Sequence, residues 1–335
     1  MEAILDFGLD ATHWLQTVYP QLAAFFDFIS RLGEVEFYLG LFPLILWCID
    51  KRLGKHLGYM FLLAVATNSL FKAILRGPRP FWLDNALGLY ETPGYGVPSG
   101  HAQLTAVIYP FIATWIKKRW MTLLAIFMVI AMSISRVYLG SHFVHDSIAG
   151  LLLAALMLLG YFVWQRRFAA KFDNRILGQK LLVVISVPVV IALIYTIVRL
   201  IIGEPNTAVA WSNYIPAAER EGIEAIATSV GTLLGLGIGL LFEASRIRFK
   251  VDGPIWKRTL RYIVGMIGAV VFWYGLGELF PDDPLWLAIP LRILRYFLTT
   301  VWVGYYAPYV FVKLKLADAE PDPGINLSLR PTNNQ

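Results

Sequence analysis

Long apolar stretches alternate with short polar loops along nearly the whole chain. About twenty consecutive apolar residues form a helix long enough to cross the ~30 Å hydrocarbon core of a bilayer. Nine such stretches are predicted, at residues 35–50, 55–76, 99–117, 120–136, 143–164, 180–202, 223–242, 258–280 and 285–316. The pattern therefore predicts an all-α, polytopic membrane protein with nine transmembrane helices.

The segments outside these stretches complete the predicted domain plan. Residues 11–31 mix large apolar side chains with polar ones, which is typical of a helix lying in the membrane interface. The C-terminal segment contains three prolines and is predicted to be a disordered cytoplasmic tail. We divide the chain into an N-terminal segment with the interfacial helix, a six-helix membrane core, three additional C-terminal helices and the tail, at residues 1–33, 34–202, 203–316 and 317–335.

Composition and charge fix the class and the orientation. The chain is 57% hydrophobic and 16% charged, whereas a soluble domain carries about a quarter charged residues. Its net charge of +6 comes from Lys and Arg in the loops after every odd-numbered stretch. The opposite loops carry acidic residues, namely Glu204, Glu219, Glu221, Asp282 and Asp283. The positive-inside rule then places the N-terminus outside and the C-terminus in the cytoplasm. Because the positive charge lies in these loops and sets the orientation of the protein in the membrane, we expect no nucleic-acid partner.

Three polar blocks interrupt the apolar pattern, all on the predicted outer side, at residues 72–80, 98–101 and 135–146. The first and third contain Lys72, Arg79 and Arg136, cations suited to holding the oxygens of a phosphoryl group. In the second block Ser99 is a natural helix N-cap, so the amides of Gly100 and His101 begin a helix, where the helix dipole favours an anion. These residues are the predicted phosphate-binding site.

The third block also supplies a candidate nucleophile. His142 and Asp146 are four residues apart, so on a helix the carboxylate orients the imidazole and leaves its other nitrogen free to attack phosphorus. His101 is placed to protonate the leaving oxygen and then to activate water. We expect hydrolysis through a phosphohistidine, with no metal and no cofactor.

Each of these features has a structural alternative. Single cations at span ends are often snorkelling side chains, and residues 98–100 can serve only as a loop and helix cap. His145 lies about 100° from Asp146 on a helix and is interpreted as an interfacial residue. The occurrence of all three blocks in order favours the catalytic interpretation.

The three blocks resemble the signature of the type-2 phosphatidic acid phosphatase superfamily, which includes lipid phosphate phosphatases, glucose-6-phosphatase and the vanadium haloperoxidases. The resemblance covers residues 60–165. It implies phosphate binding by Lys72, Arg79, Ser99, Gly100 and Arg136. It also implies an acid role for His101, a nucleophilic role for His142 and an orienting role for Asp146.

The resemblance leaves the substrate open. Nine spans and the sequence Arg79-Pro80-Phe81-Trp82 look like the glucose-6-phosphatase branch, whereas Asp146 matches lipid phosphatases in place of that branch's glutamine. We expect a lipid phosphomonoester or pyrophosphate, cleaved at the extracytoplasmic face of what we expect is a bacterial plasma membrane. Tyr90, Tyr95, Phe81 and Trp82 are predicted to line the substrate entrance. The alternative is a soluble sugar phosphate. A transporter or scramblase is a remote alternative, because the charges lie at span ends.

The C-terminal stretches carry features of packing. Glu278 is predicted to pair with Arg292 or Arg295 across the turn at residues 281–284. Gly231, Gly235, Gly237 and Gly239 are typical of a close helix-packing face. A homodimer contact is an alternative use of the C-terminal helices.

Overall fold

The computed structural model describes residues 2–320, which contain fifteen α-helices and no β-strand apart from an isolated bridge between Phe249 and Ala319. The helices are α1 Glu2–Val18, α2 Ala23–Arg31, α3 Val35–Leu44, α4 Lys51–Leu75, α5 Pro80–Leu83, α6 Gly100–Ile116, α7 Arg119–Tyr138, α8 Val144–Arg167, α9 Ala169–Asp173, α10 Leu177–Ile202, α11 Ile215–Phe242, α12 Ile255–Val270, α13 Leu276–Leu279, α14 Leu285–Val301 and α15 Ala307–Lys313. The all-α prediction is confirmed.

The count of spans differs from the predicted nine. Within residues 2–320, seven helical segments are long and apolar enough to cross a membrane. An eighth is formed if Pro20–Arg31 and Val35–Ile49, bent by 49° at their junction, act as one span. The predicted third span is α6, which has only 17 residues and extends about 26 Å at 1.5 Å per residue. Nine spans therefore stay a prediction, while the seven apolar helical segments agree with a multi-pass membrane protein.

Two helices organise the packing. Helix α6 packs against α4, α7 and α8, and α11 packs against α4, α10 and α14. Because α4 contacts both α6 and α11, it joins the predicted core to the C-terminal helices. A single cluster of buried apolar side chains runs through this junction and includes Leu57, Phe61, Val107, Phe111 and Leu236.

The N-terminal segment is not one helix over residues 11–31, because the chain breaks at residues 19–22 between α1 and α2. Both helices are attached to α7. The Thr12 hydroxyl donates to the Val137 carbonyl at 3.2 Å, and the Ser135 hydroxyl donates to the Phe26 carbonyl at 2.7 Å. The interfacial position of this segment stays a prediction.

The C-terminal end holds two further differences. The predicted disordered tail lies outside the described residues from residue 321 onwards, but its first residues pair with the loop before α12. The Lys250 amide donates to the Asp318 carbonyl at 2.7 Å, and the Glu320 amide donates to the Arg248 carbonyl at 2.9 Å.

The predicted pairing of Glu278 with Arg292 is wrong, because Arg292 Nη2 lies 2.6 Å from Glu224 Oε2 on α11.

Candidate active site

The three polar blocks lie at one end of the bundle, because the helices that carry them run alternately up and down. Helix α4 ends beside Lys72, α6 begins after Ser99, α7 ends just after Arg136, and α8 begins just after His142. The Ser99 amide donates to the Asp146 carbonyl at 2.9 Å, which ties the start of α6 to the start of α8. The predicted convergence of the three blocks is therefore present in the structure.

His142 is held between a carboxylate and a guanidinium. Its Nδ1 lies 3.3 Å from Asp146 Oδ2, and its Nε2 lies 3.1 Å from Arg79 Nη1. Because an arginine in a protein only donates, Nε2 accepts, and the proton of the neutral ring lies on Nδ1, facing Asp146. The Phe143 amide donates to the same Asp146 oxygen at 2.9 Å and fixes the carboxylate. The nitrogen with the free electron pair is therefore the one that faces the cations.

The protonation state of His142 follows from its surroundings. The side chain is only 2% exposed. Burial first, and then the nearby positive charges of Arg79 and Arg136, lower the pKa of His142 well below its usual value. The imidazole is therefore neutral at pH 7, as a nucleophile must be.

Arg79 fastens the loop that crosses the site. Its Nε donates to the Gly94 carbonyl at 2.6 Å, and its Nη2 donates to the carbonyls of Pro93 and Tyr95, each at 3.1 Å. Nη1 also donates to the Ser141 carbonyl at 2.8 Å. The sequence analysis assigned Arg79 only to phosphate binding. The structure adds that the guanidinium positions residues 93–95 and directs one N–H at His142.

Arg136 is fully buried but sparsely bonded. Its Nη1 donates to the Ser30 hydroxyl, and its guanidinium lies 5.3 Å from the centre of the Tyr90 ring. Its Nε and Nη2 have no hydrogen-bond partner within residues 2–320. The Tyr90 hydroxyl donates to Glu34 at 2.7 Å, and burial together with this bond raises the pKa of Tyr90 to about 12. Two of the guanidinium nitrogens therefore have no hydrogen-bond acceptor in the described part of the chain.

The second block forms the predicted helix start. The Ser99 hydroxyl accepts from the Ala102 amide as the N-cap of α6. Gly100 allows Asn68 to approach, since a Cβ there would lie 3.3 Å from Asn68 Oδ1. His101 Nε2 is buried and has no partner in the described part of the chain. A Cβ on Gly33, at the bend between α2 and α3, would lie 2.6 Å from His101 Cδ2, so that bend packs directly on the ring.

A cavity of about 500 Å³ joins these groups. Of the predicted site residues, five line it, namely Lys72, Arg79, Gly100, His101 and His142. The other three, Ser99, Arg136 and Asp146, are fully buried and do not line it. A volume of this size accommodates a small-molecule phosphoester or a lipid head group.

The predicted entrance is half right. Tyr90 and Tyr95 line the cavity. Phe81 and Trp82 do not, because both are buried, and Trp82 stacks on Tyr214 with ring centres 5.1 Å apart. Assigning these two side chains to the entrance was wrong.

Sequence reasoning missed several residues at the site. His145 Nε2 lies 3.1 Å from Asp146 Oδ1, although the helical angle alone separates the two residues. The His145 imidazole stacks on the Phe143 ring, with ring centres 5.3 Å apart. In this orientation Nε2, the ring nitrogen farther from the backbone, reaches the Asp146 carboxylate. Glu219 and Glu221, assigned to an outer loop, belong to α11 and line the cavity. Their only sequence signal was their place on the outer side.

Comparisons with known proteins agree with this geometry. The model of the PAP2 superfamily matches residues 53–170, and the model described as a transmembrane extension of PAP2 superfamily phosphatases matches residues 227–319. All three polar blocks lie in the first of these regions.

Curated relatives match part of the chain. Glucose-6-phosphatase 3 of Bos taurus is 29% identical over 183 residues, which cover 47% of this chain and 53% of that protein. Sphingosine-1-phosphate phosphatase 2 of Mus musculus is 31% identical over 147 residues, which cover 42% of each protein. The chain therefore spans about half the length of the curated relatives it matches.

A solved structure also aligns. The crystal structure of a transmembrane PAP2 type phosphatidylglycerolphosphate phosphatase from Bacillus subtilis gives a TM-score of 0.44 at 23% identity, covering 50% of this chain and 89% of that one. The two family models together span both the motif-bearing helices and the C-terminal helices. On their evidence, the chain belongs to the PAP2 superfamily of membrane phosphatases.

Proposed function

We propose that this protein hydrolyses a phosphomonoester through a phosphohistidine on His142. One observation carries the proposal: the unprotonated Nε2 of a neutral, buried imidazole faces Arg79 at 3.1 Å, while Asp146 lies 3.3 Å from its Nδ1. A phosphoryl group on Nε2 brings its oxygens within reach of the Arg79 N–H that now contacts the ring. Cations positioned in advance around transferring phosphoryl oxygens supply most of the catalysis in such reactions.

The reaction divides into two displacements. His142 Nε2 attacks phosphorus, so the P–N bond forms as the P–O bond to the leaving group breaks. His101, protonated on both ring nitrogens when the anionic substrate is bound, gives its Nε2 proton to the leaving oxygen and becomes neutral. Water then attacks the phosphohistidine, His101 takes a proton from it, and the P–N bond breaks to release inorganic phosphate. The partner-free Nε2 of His101 in the same cavity supports this assignment.

We favour a lipid phosphate or pyrophosphate as the substrate. The site lies at the ends of membrane-spanning helices, where the bilayer presents head groups, and sphingosine-1-phosphate phosphatase 2 is among the relatives. A soluble sugar phosphate is the second candidate, because glucose-6-phosphatases match a similar share of the chain. The distribution of Lys and Arg over the loops favours an extracytoplasmic site, in a bacterial plasma membrane by our expectation.

The test is phosphate release by the purified protein from phosphatidic acid, sphingosine 1-phosphate, an isoprenyl pyrophosphate and glucose 6-phosphate, with the His142→Ala protein as the blank. We expect release from at least one lipid, inhibition by vanadate and no inhibition by EDTA. Inhibition by EDTA would contradict the metal-independent mechanism. Exclusive hydrolysis of glucose 6-phosphate contradicts the lipid assignment.

A further inference from the structure

Besides its cations, the cavity has an acidic side, formed by two carboxylates. Helix α11 contributes Glu219 and Glu221, while Lys72, Arg79 and His142 come from the motif blocks. Phosphate chemistry needs the cations but has no use for nearby carboxylates, which repel the phosphate. The acidic side therefore calls for a separate explanation.

Glu219 is already engaged within the protein. Its carboxylate lies 3.0 Å from Arg76 Nε and 2.6 Å from Arg199 Nη2, and it accepts from the Tyr95 hydroxyl at 2.7 Å. Through Tyr95 it supports the loop that Arg79 holds by its carbonyls. Glu219 is thus a structural link between α11, α10 and the active-site loop.

Glu221, by contrast with Glu219, is not held by ion pairs or hydrogen bonds to the described part of the chain. Within residues 2–320 its carboxylate makes no hydrogen bond and no ion pair. It lies across Gly94 from Lys72, since a Cβ on Gly94 would be 3.2 Å from Glu221 Cγ and 3.9 Å from Lys72 Nζ. The side chain is partly buried and lines the cavity, so its carboxylate can accept a hydrogen bond there from a donor group of a ligand.

We propose that Glu221 determines substrate specificity by accepting a hydrogen bond from a donor group, hydroxyl or ammonium, that the substrate carries beside its phosphoester. This inference rests on the phosphatase function proposed above. With phosphate at Lys72, Arg79 and His142, the neighbouring atoms of the substrate lie next to the acidic side of the cavity. Substrates with a free donor there are preferred over substrates in which that donor is acylated.

Two matched substrate pairs test the proposal. Lysophosphatidate and phosphatidate differ by a free hydroxyl, and sphingosine 1-phosphate and ceramide 1-phosphate differ by a free ammonium group. We expect the wild-type protein to prefer the free member of at least one pair in kcat/KM. Glu221→Leu should reduce that preference about tenfold or more, chiefly by slowing the free member, since hydrogen bonds to charged groups are the stronger ones. Glu221→Gln retains part of a hydroxyl preference but none of an ammonium preference.

The matched control is Glu204→Gln, which removes an exposed carboxylate from the neighbouring loop. It should leave both ratios unchanged. Ratios that are equally unchanged in Glu221→Leu overturn the proposal, and so does a wild-type preference for the acylated members. Hydrolysis of the acylated substrates by Glu221→Leu shows that the phosphatase function survives such a result. If the wild-type protein cleaves none of the four compounds, this inference fails, whereas the proposed phosphatase function fails only if the isoprenyl pyrophosphate and glucose 6-phosphate are not cleaved either.

Discussion

Two arginines with no exposed surface, Arg136 and Arg261, serve opposite purposes. Arg261 donates through its two Nη atoms to the carbonyls of Trp47, Lys250, Val251 and Asp252, at 2.8–3.2 Å, and only its Nε lacks a partner. Among the described residues, Arg136 donates a hydrogen bond to Ser30 alone, and both its Nε and its Nη2 lack partners. A buried guanidinium is costly unless its donors are satisfied. Within residues 2–320, the chain satisfies most donors of Arg261 and few of those of Arg136, which agrees with the proposed phosphate-binding role of Arg136.

The two arginines belong to different ends of the molecule. Glu221 lies on α11 at the cavity, and Glu243 directly follows the last residue of α11, 22 residues and about 33 Å further along the helix axis. At the far end Glu243 accepts from Lys51 at 3.0 Å and from the Phe249 amide at 3.1 Å, so charge there is neutralised within the protein. At the cavity end, Lys72 and Arg79 lie beside the neutral His142. Charge at one end is thus paired within the protein, and at the other end the proposed function uses it to hold an anion.

The largest expected effect is at the nucleophile. His142→Ala should lower kcat by about 10⁴-fold or more, because no other group replaces the attacking nitrogen. Its thermal unfolding should stay close to that of the wild-type protein. Phosphate release and a melting curve measured in the same detergent check both points. Substantial residual turnover removes His142 as the nucleophile.

The second largest expected effect is that of replacing Arg136. Arg136→Ala should lower kcat/KM by about 10³-fold, the range seen when an arginine that stabilises a transferring phosphoryl group is lost. Its stability should change little, because the side chain donates one hydrogen bond within the described residues. The loss is measured as kcat/KM of the variant and of the wild-type protein, together with the affinity of each for vanadate. If Arg136→Ala instead lowers the melting temperature and leaves the activity per folded molecule unchanged, Arg136 is a structural residue like Arg261.

The opposite outcome is expected at the far end. Arg261→Ala should lower the free energy of unfolding by about 3 kcal/mol, because several buried carbonyls lose their donor. The activity of the protein that remains folded should be close to wild type. Folded yield, melting temperature and turnover per folded molecule measure these effects separately. A selective loss of turnover would contradict a purely structural Arg261.

The smallest expected effect is on pH dependence. Because the pKa of His142 is lowered in the folded protein, the unfolded chain binds a proton at this residue below about pH 6.5, where the folded protein does not. Stability therefore falls as the pH drops from about 6.5 towards the lowered pKa. His142→Ala should show a shallower fall over that interval. Melting curves in matched buffers test this, and an equal slope in both proteins contradicts a neutral, buried His142.

The sequence predicted the site where its chemistry is local, and it failed where partners are distant along the chain. His142 and Asp146 are four residues apart, and the family signature identifies the remaining motif residues. Glu278 was predicted to pair with Arg292 or Arg295, yet Arg292 pairs with Glu224, 68 residues away, and Arg295 Nε donates to the Trp273 carbonyl. Ser30 is 106 residues from Arg136, so no local pattern connects them. Hydrophobic periodicity predicts helices but leaves open which buried charges will meet.

The bend between α2 and α3 has a further consequence for protein engineering. Gly33 lets the bend pack on His101 and on Met132, and a Cβ at residue 33 would lie 2.6 Å and 2.7 Å from their nearest atoms. Contacts of that length force a neighbour to shift. Side chains of graded size at this position, beginning with Gly33→Ala, therefore push on the ring of His101 without altering any charge. Substitutions at residue 33 therefore offer a way to vary the position of the His101 ring, and with it turnover, while the ionic groups of the site stay intact.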